Sequence, residues 1–150
     1  MATDTDLIKL YSGRILELAA DIPHLDRLDA PMATTKKRSP LCGSAVTVDV
    51  CVDDGRVTAF GQDVKACALG QAAASVTGGA VIGRTLPELL EAREALRAML
   101  KDNGPVPAAP FDGFEVLVPA REYKNRHASI LLCIEATCDA VEQALQSHCA

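Results

Sequence analysis

Tryptophan is absent from this 150-residue sequence, which contains only two tyrosines and three phenylalanines. So few aromatic rings argue against a stacking surface for single-stranded nucleic acid. Positive charge is also scarce, since the net charge is −5 and the isoelectric point about 5.1. An acidic chain lacks the electrostatic footprint of a nucleic-acid-binding protein or of a protein that binds an anionic membrane. No apolar run reaches the roughly 18 residues of a membrane-spanning helix.

Several familiar motifs are missing as well. The sequence has no CxxC pair, no HExxH motif and no P-loop. Its first residues lack the basic and apolar stretches of a signal peptide, so we expect a cytoplasmic protein. In a reducing compartment the six cysteines, at positions 42, 51, 67, 133, 138 and 149, indicate metal binding, sulfur chemistry or core packing rather than disulfides.

The length predicts a single domain over residues 1–150. Apolar periodicity and turn residues predict both helices and strands. The predicted helices cover residues 5–22, 66–77, 85–103 and 121–147. A hairpin is predicted at 45–64, a third strand at 114–118, and a loop with room for a short edge strand at 23–41.

The hairpin is the clearest of these elements. Valines alternate with other residues from Val46 to Val52, which is typical of a strand buried on one face. The expectation is that the valines are buried and that Thr47 and Asp49 lie on the more exposed face. The sequence Asp53–Arg56 predicts the turn.

Cys42 precedes the first strand of this hairpin, and Cys67 follows the second. Because paired antiparallel strands bring their outer ends together, both thiols are expected at one end of the sheet. Cys67 also falls near a helix N-terminus and beside Lys65, and both features favour a thiolate. Two thiolates at one place are half of a zinc or iron–sulfur site. From spacing alone, two small buried hydrophobic residues fit equally well.

Four segments together resemble the IscU/SufU/NifU N-terminal family of iron–sulfur cluster assembly proteins. Pro40–Ser44 (PLCGS) resembles the family's P-x-C-G-D segment, and Val64–Ser75 resembles its F-K-G-C segment. Leu10–Leu16 resembles the opening helix of the family, and Gly83–Glu88 the start of a later helix. The match runs in order over nearly the whole chain. It implies an α+β fold in which a small antiparallel sheet packs on helices, with a site built by three loops at one end.

The resemblance also implies a ligand set. The family places its third cysteine at the start of the last helix, where this chain has Arg126–Leu131 (RHASIL). In one register His127 replaces that cysteine; in the other His127 matches a histidine of the family and Ala128 replaces the cysteine. Ser44 stands where the family has aspartate. The implied metal or cluster ligands are therefore Cys42, Cys67 and His127, with one open position.

The other cysteines do not complete this set. Cys133 is six residues beyond His127 and faces another side of the helix, and Cys138 lies about 16 Å further along the axis. Cys51 is at the far end of the hairpin strand. We expect these three to be packing residues or inert thiols, and Cys149 to lie in a frayed terminus.

The resemblance implies a scaffold or sulfur carrier rather than a turnover enzyme. Such a protein holds zinc or a [2Fe–2S] cluster, accepts persulfide sulfur on Cys67 or Cys42, and works with a cysteine desulfurase and downstream apo-protein acceptors. The long stretch between Cys67 and His127 favours the SufU-like branch. A basic patch of Arg121, Lys124 and Arg126 would favour anionic sulfur species or an acidic partner, although such a patch is more often a solvated helix face. The alternative is a zinc-binding relative that assembles no cluster and regulates or docks on the desulfurase.

Overall fold

The computed structural model describes residues 13–40 and 43–149. Three strands and four α-helices follow one another along these ranges, with two 3-10 helices before the last α-helix. The strands are β1 (Ala33–Arg38), β2 (Ala45–Asp53) and β3 (Arg56–Lys65). The α-helices are α1 (Gly13–Ala20), α2 (Ala68–Ala80), α3 (Leu86–Lys101) and α4 (His127–Cys149), and the 3-10 helices are Asp112–Glu122 and Lys124–Arg126.

The strands form one antiparallel sheet in the order β1-β2-β3. The predicted hairpin is confirmed: Ala45 pairs with Lys65 at one end, and Asp53 pairs with Arg56 at the turn. Asp54 and Gly55 both have positive φ, at 53° and 76°, which the tight hairpin turn requires. The edge strand allowed for in the loop 23–41 is β1.

The alternating valines are buried as predicted, but the exposed face expected for Asp49 is wrong. Its side chain is fully buried, because the segment between α1 and β1 crosses that face of the sheet. The Asp49 carboxylate accepts hydrogen bonds from Arg27 Nε (2.6 Å) and Nη2 (3.1 Å), from Leu28 N (3.0 Å) and from Thr34 Oγ1 (2.6 Å). A buried carboxylate with this many donors is satisfied, and Thr47 and Cys51 on the same face of β2 are half-buried.

Helix α4 packs on β1 and β2 and also contacts α2 and α3. Its buried side chains include Ile130, Ile134 and Val141. Lys37 of β1 forms an ion pair with Asp139 of α4 (3.2 Å). This helix therefore fixes the sheet and the remaining helices around one core.

Helix α3 begins with a capping box. Thr85 Oγ1 accepts from Glu88 N (3.4 Å), and Glu88 Oε1 accepts from Thr85 N (3.1 Å). The helix ends at Lys101, just before Asn103, which has positive φ. The predicted bounds 85–103 are thus correct to within two residues.

The strand predicted at 114–118 is wrong. These residues belong to the 3-10 helix Asp112–Glu122, whose buried side chains Phe114, Leu117 and Ala120 recur at every third position. That spacing is the period of a 3-10 helix. The last α-helix begins at His127, not at residue 121, because two 3-10 segments precede it. Of the helix predicted at 5–22, residues 5–12 lie outside the described part of the chain.

None of the helices in the described ranges is long and apolar enough to span a membrane.

Candidate functional site

Three element ends meet at one end of the sheet. Ser44 directly precedes β2, Cys67 is the N-cap of α2, and Ser129 is in the first turn of α4. The antiparallel pairing of Ala45 with Lys65 places the start of β2 beside the end of β3. Only one residue separates Lys65, the last residue of β3, from Cys67. The pairing of β2 with β3 therefore also positions the start of α2.

Cys67 is a half-buried free thiol. Its Sγ lies 3.7 Å from the Oγ of Ser129. Burial raises the pKa of the Cys67 thiol and is the largest contribution, but the amide groups of Gly70 and Leu69, the Ser129 hydroxyl and the Arg126 side chain together lower it below its usual value. The N-terminus of α2 thus favours the thiolate, which is the form that binds metals and attacks sulfur.

Ser129 joins Cys67 to the loop before β2. Its Oγ is 3.2 Å from the Oγ of Ser44, and both hydroxyls are buried. A glycine at position 70 makes room for this contact, because a Cβ there would lie 2.6 Å from Ser129 Oγ and 2.8 Å from the Cβ of Ala66. We call Ser44, Cys67 and Ser129 the site cluster.

Backbone hydrogen bonds join the residues on either side of the loop that precedes Ser44. The amide of Ser39 donates to the Ser44 carbonyl (2.8 Å), and the amide of Gly43 donates to the Ser39 carbonyl (3.1 Å). Gly43 has φ +69°, which favours glycine at this position. Cys42, the other predicted thiolate, lies outside the described residues.

The side chain of His127 lies in a different environment from the site cluster. Its side chain is buried, and its Nε2 donates to the carbonyls of Ala120 (2.9 Å) and Arg121 (3.1 Å). Two carbonyl acceptors place the ring proton on Nε2, so Nδ1 carries the free electron pair. Residues two apart on an α-helix project about 200° from each other, and His127 therefore projects away from the side on which Ser129 meets Cys67.

The residues brought together are thus Cys67, Ser44 and Ser129, and His127 is not among them. Within 13–40 and 43–149 no group of three His, Cys, Asp or Glu side chains is arranged to hold a metal ion. With Cys42 outside these ranges, the ligand set Cys42, Cys67 and His127 stays a prediction. The sequence did not predict Ser129 as a site residue. The pattern that could have indicated it is a single hydroxyl side chain in the first turn of α4, directly before a wholly apolar run.

The remaining cysteines differ clearly from Cys67. Burial raises the pKa of Cys133 to about 12 and that of Cys138 to about 11. The Cys133 thiol donates to Gln62 Oε1 (3.2 Å) in the core. Cys51 is half-buried, with its Sγ 3.7 Å from the carbonyl of Ala30. The prediction that Cys133 and Cys138 are packing residues is confirmed by their burial.

A three-stranded antiparallel sheet packed against helices, with a thiol and two buried hydroxyls where three element ends meet, defines an α+β domain of the IscU-like class. Residues 10–126 match the family described as the NifU-like N terminal domain. The chain therefore belongs to this family of iron–sulfur cluster assembly scaffolds, and the predicted family and fold class are confirmed.

Solved structures agree. A nitrogen-fixing NifU-like protein (N-terminal) from Brucella abortus is 45% identical, with a TM-score of 0.91 over 94% of this chain and 98% of the other. An iron–sulfur cluster assembly scaffold protein for the SUF system from Fervidobacterium islandicum AW-1 is 19% identical, with a TM-score of 0.78 over 88% and 96%. A hypothetical protein is 21% identical, also with a TM-score of 0.78, over 89% and 97%. The last two show the fold alone. No curated protein sequence matches this chain.

Proposed function

We propose that this chain assembles an iron–sulfur cluster, or carries sulfur for one, on the thiolates of Cys42 and Cys67. The observation that carries the proposal is the site cluster, in which Cys67 meets Ser44 through Ser129. Cys42 is two residues from Ser44 along the chain. A second thiolate is therefore tied by a short segment to the point where the first is held.

The donor set fits a cluster that is cargo rather than a permanent cofactor. Protein-held [2Fe–2S] clusters use four ligands, usually cysteines. In the described residues the Cys67 thiol lies beside the linked hydroxyls of Ser129 and Ser44, and hydroxyl oxygen is a poor ligand for soft metal sites. The coordination positions that the protein leaves open are available to sulfide, to a donor thiolate or to the ligands of an acceptor protein. Zinc fits the same two thiolates, with the remaining positions filled from elsewhere.

Sulfur reaches the site by thiol exchange with a cysteine desulfurase. The Cys67 thiolate attacks the outer sulfur of the donor's cysteine persulfide. The bond between the two donor sulfurs breaks, the donor cysteine leaves as a thiolate, and Cys67 becomes the persulfide. The number of electrons is unchanged. Cys67 suits this role because the amides at the start of α2 favour its anionic form.

His127 remains the predicted third ligand, and it could act only through Nδ1. Its Nε2 proton is held by the Ala120 and Arg121 carbonyls. Metal-bound histidines commonly donate their other ring N–H to a backbone carbonyl in this way. His127→Ala distinguishes a metal ligand from a structural residue. If His127 is a ligand, the variant binds less metal per chain than the wild type. If His127 is structural, the variant only unfolds at a lower temperature.

The test of the proposed function is anaerobic reconstitution with iron, sulfide and a cysteine desulfurase. We expect a visible cluster absorption in the wild type, and its loss in Cys42→Ala and in Cys67→Ala. Cys51→Ala is the matched control, since Cys51 is a half-buried thiol towards the turn end of the hairpin. Equal cluster yield in all four proteins would contradict the proposal.

A second candidate function is favoured by the two hydroxyls. Ser44 stands where the family has aspartate, and the side chain facing Cys67 from α4 is Ser129. A zinc-binding relative that docks on the desulfurase without building a cluster would need no further soft ligands. Zinc that stays stoichiometric through reconstitution, with no cluster absorption, would identify this function.

A further inference from the structure

The two edge strands of the sheet differ in how their outer backbone groups are bonded. On β3, the amide of Val57 donates to the Arg84 carbonyl (3.0 Å), and the Val57 carbonyl accepts from the amide of Gly83 (2.8 Å). Further along the same strand, the amide of Gln62 donates to the His24 carbonyl (2.9 Å). Within the described ranges no such bond reaches the outer side of β1. That side, which we call the open edge, can therefore accept a further strand.

The backbone groups along the open edge belong to Lys36 and Arg38. Directly after β1, the amide of Ser39 donates to the Ser44 carbonyl across the sheet (2.8 Å). These two residues continue the register in which Arg38 pairs with Ala45. Hydrogen-bonded and non-hydrogen-bonded pairs alternate along an antiparallel ladder. The amides and carbonyls of Lys36 and Arg38 therefore point away from β2.

The same two residues carry exposed cations that form no ion pair with a carboxylate of the described ranges. Because Lys36 and Arg38 are two residues apart on a strand, their side chains project to one face, at a spacing of about 7 Å. On that face the Asp49 carboxylate is bonded to Arg27, and Asp63 is two strands away from Lys36, at about 10 Å. The open edge thus combines positive charge with unpaired backbone groups.

We propose that the open edge binds an extended acidic segment of a partner protein, which joins the three-stranded sheet as a further strand. In this mode of recognition the backbone hydrogen bonds supply affinity, and every second side chain supplies specificity. Carboxylates at alternate positions of the segment would lie beside Lys36 and Arg38, where opposite charges on neighbouring strands attract. The proposal goes beyond the proposed function and does not depend on it, because neither cation belongs to the site cluster.

A protein segment matches this edge better than nucleic acid does. A nucleic acid offers phosphates to the two cations but has no peptide backbone that could pair with the amides and carbonyls of β1. The chain is also acidic overall and poor in aromatic residues, whereas proteins that bind single strands use basic grooves with aromatic stacking surfaces.

The experiment is a titration of the isotope-labelled full chain, followed by NMR, with a synthetic peptide in which glutamate alternates with threonine. We expect the amide signals of Lys36 and Arg38 to shift and their exchange with solvent deuterium to slow, because each amide gains an acceptor. The amides of Val57 and Gln62 serve as an internal control. They are already bonded on the outer side of β3 and should change little.

Two matched controls separate strand addition from simple attraction between charges. A peptide of the same sequence with N-methylated backbone keeps every carboxylate but loses its amide donors, and it should bind on the order of tenfold more weakly or not at all. Lys36→Glu with Arg38→Glu should weaken binding of the unmodified peptide on the order of tenfold at low salt. Lys101→Glu with Lys124→Glu reverses two exposed cations in the cleft beside His127 and should weaken it much less. Circular dichroism and thermal melts establish that each variant is folded.

Several results would overturn the proposal. These are unchanged Lys36 and Arg38 amides at millimolar peptide, equal binding of the N-methylated peptide, and equal loss in the two double variants. A single-stranded oligonucleotide that shifts these amides, when the peptide does not, would assign the open edge to nucleic acid. Shifts that depend on protein concentration alone would assign it to a second copy of the chain.

Discussion

The Oγ of Ser129 lies 3.7 Å from the Sγ of Cys67 and belongs to the side of α4 that faces the thiol. His127, which the sequence offered as the ligand from this helix, bonds backbone carbonyls instead. The side of α4 that faces Cys67 therefore presents a hydroxyl rather than a thiolate or an imidazole. If the chain assembles a cluster as proposed, we expect the site to hold it loosely, because oxygen is a poor ligand for soft metals.

Ser129→Cys should convert this hydroxyl contact into a third thiolate. We expect a cluster half-life several-fold longer than that of the wild type after anaerobic reconstitution, followed by visible absorption. Cobalt(II) titration gives an independent measurement, because the sulfur-to-metal charge-transfer band grows with the number of thiolate ligands.

Ala128→Cys and His127→Cys are the matched comparisons, since each adds one thiol within two residues of Ser129. We expect smaller gains from both, because neither position makes the contact with Cys67. Ser44→Asp should change the lability of the cluster instead, since a carboxylate is a hard ligand that competes with an incoming thiol. A larger gain from either neighbouring cysteine than from Ser129→Cys would contradict the geometry of the site cluster.

Gly70→Ala should disturb the site from inside α2. The new Cβ would lie 2.6 Å from Ser129 Oγ, so the serine must move. We expect the free energy of unfolding to fall by about 1–3 kcal/mol, as for other overpacked cores, together with faster cluster loss. Gly79→Ala in the same helix is the control: its nearest neighbour is Pro23 Cγ at 4.0 Å, and it should stabilise the helix by roughly 0.5–1 kcal/mol.

Cys67 should react with iodoacetamide well before the core thiols. Its pKa is lowered, whereas those of Cys133 and Cys138 are raised to about 12 and 11. At pH 7.5 in the metal-free protein, we expect mass spectrometry to find Cys67 modified while Cys133 and Cys138 remain intact. Unfolding in guanidinium should remove the difference. Equal modification of the three thiols in the native protein is the outcome that counts against this prediction.

Asp49→Asn should destabilise the protein in a pH-dependent way. Burial raises the pKa of Asp49 and is the largest contribution, but the hydrogen bonds of Arg27, Thr34 and Leu28 and the Arg27 charge hold it below its usual value. The ionised form therefore stabilises the fold above the unfolded pKa of about 3.9, and this stabilisation is lost as the pH falls through the folded pKa.

At pH 7 we expect Asp49→Asn to lower the free energy of unfolding by about 1–3 kcal/mol, because charged hydrogen bonds to a buried group are lost. At pH 3, below the unfolded pKa, the unfolded carboxyl binds a proton and the ionised native form stabilises the fold less, so the difference should shrink. Urea unfolding at the two pH values measures it. A difference that stays constant from pH 7 to pH 3 would show that the charge of Asp49 is irrelevant.

Local patterns predicted the elements whose structure depends on neighbouring residues. The valines of β2 alternate strictly, and Thr85 with Glu88 forms the capping box, so the hairpin and the start of α3 follow directly from the sequence. The apolar run at 114–118 was misleading because its β-branched composition is typical of a strand. The spacing of Phe114, Leu117 and Ala120 already held the three-residue period that decided the outcome.

Features that depend on distant packing could not be predicted in this way. Asp49 sits on the polar side of an alternating strand, and nothing in its neighbourhood indicates that Arg27 and Leu28 will cover it. Ser129 contacts Cys67 across 62 residues, and which side of α4 faces the thiol depends on how that helix packs on the sheet. The family resemblance located the region of the site, but the side chain that faces Cys67 required the structure.

Strand β1 has a consequence for the solubility of the protein. It is one of the two edge strands of the sheet in the described part of the chain, so one row of its backbone groups has no neighbouring strand there. Its sequence ends in three consecutive cations, Lys36, Lys37 and Arg38, and charged side chains on an outer strand discourage pairing with the same strand of another molecule. Replacing all three with threonine or valine would leave an uncharged edge strand, which pairs more easily with the same strand of another molecule. The three cations at the end of β1 therefore keep copies of this protein apart.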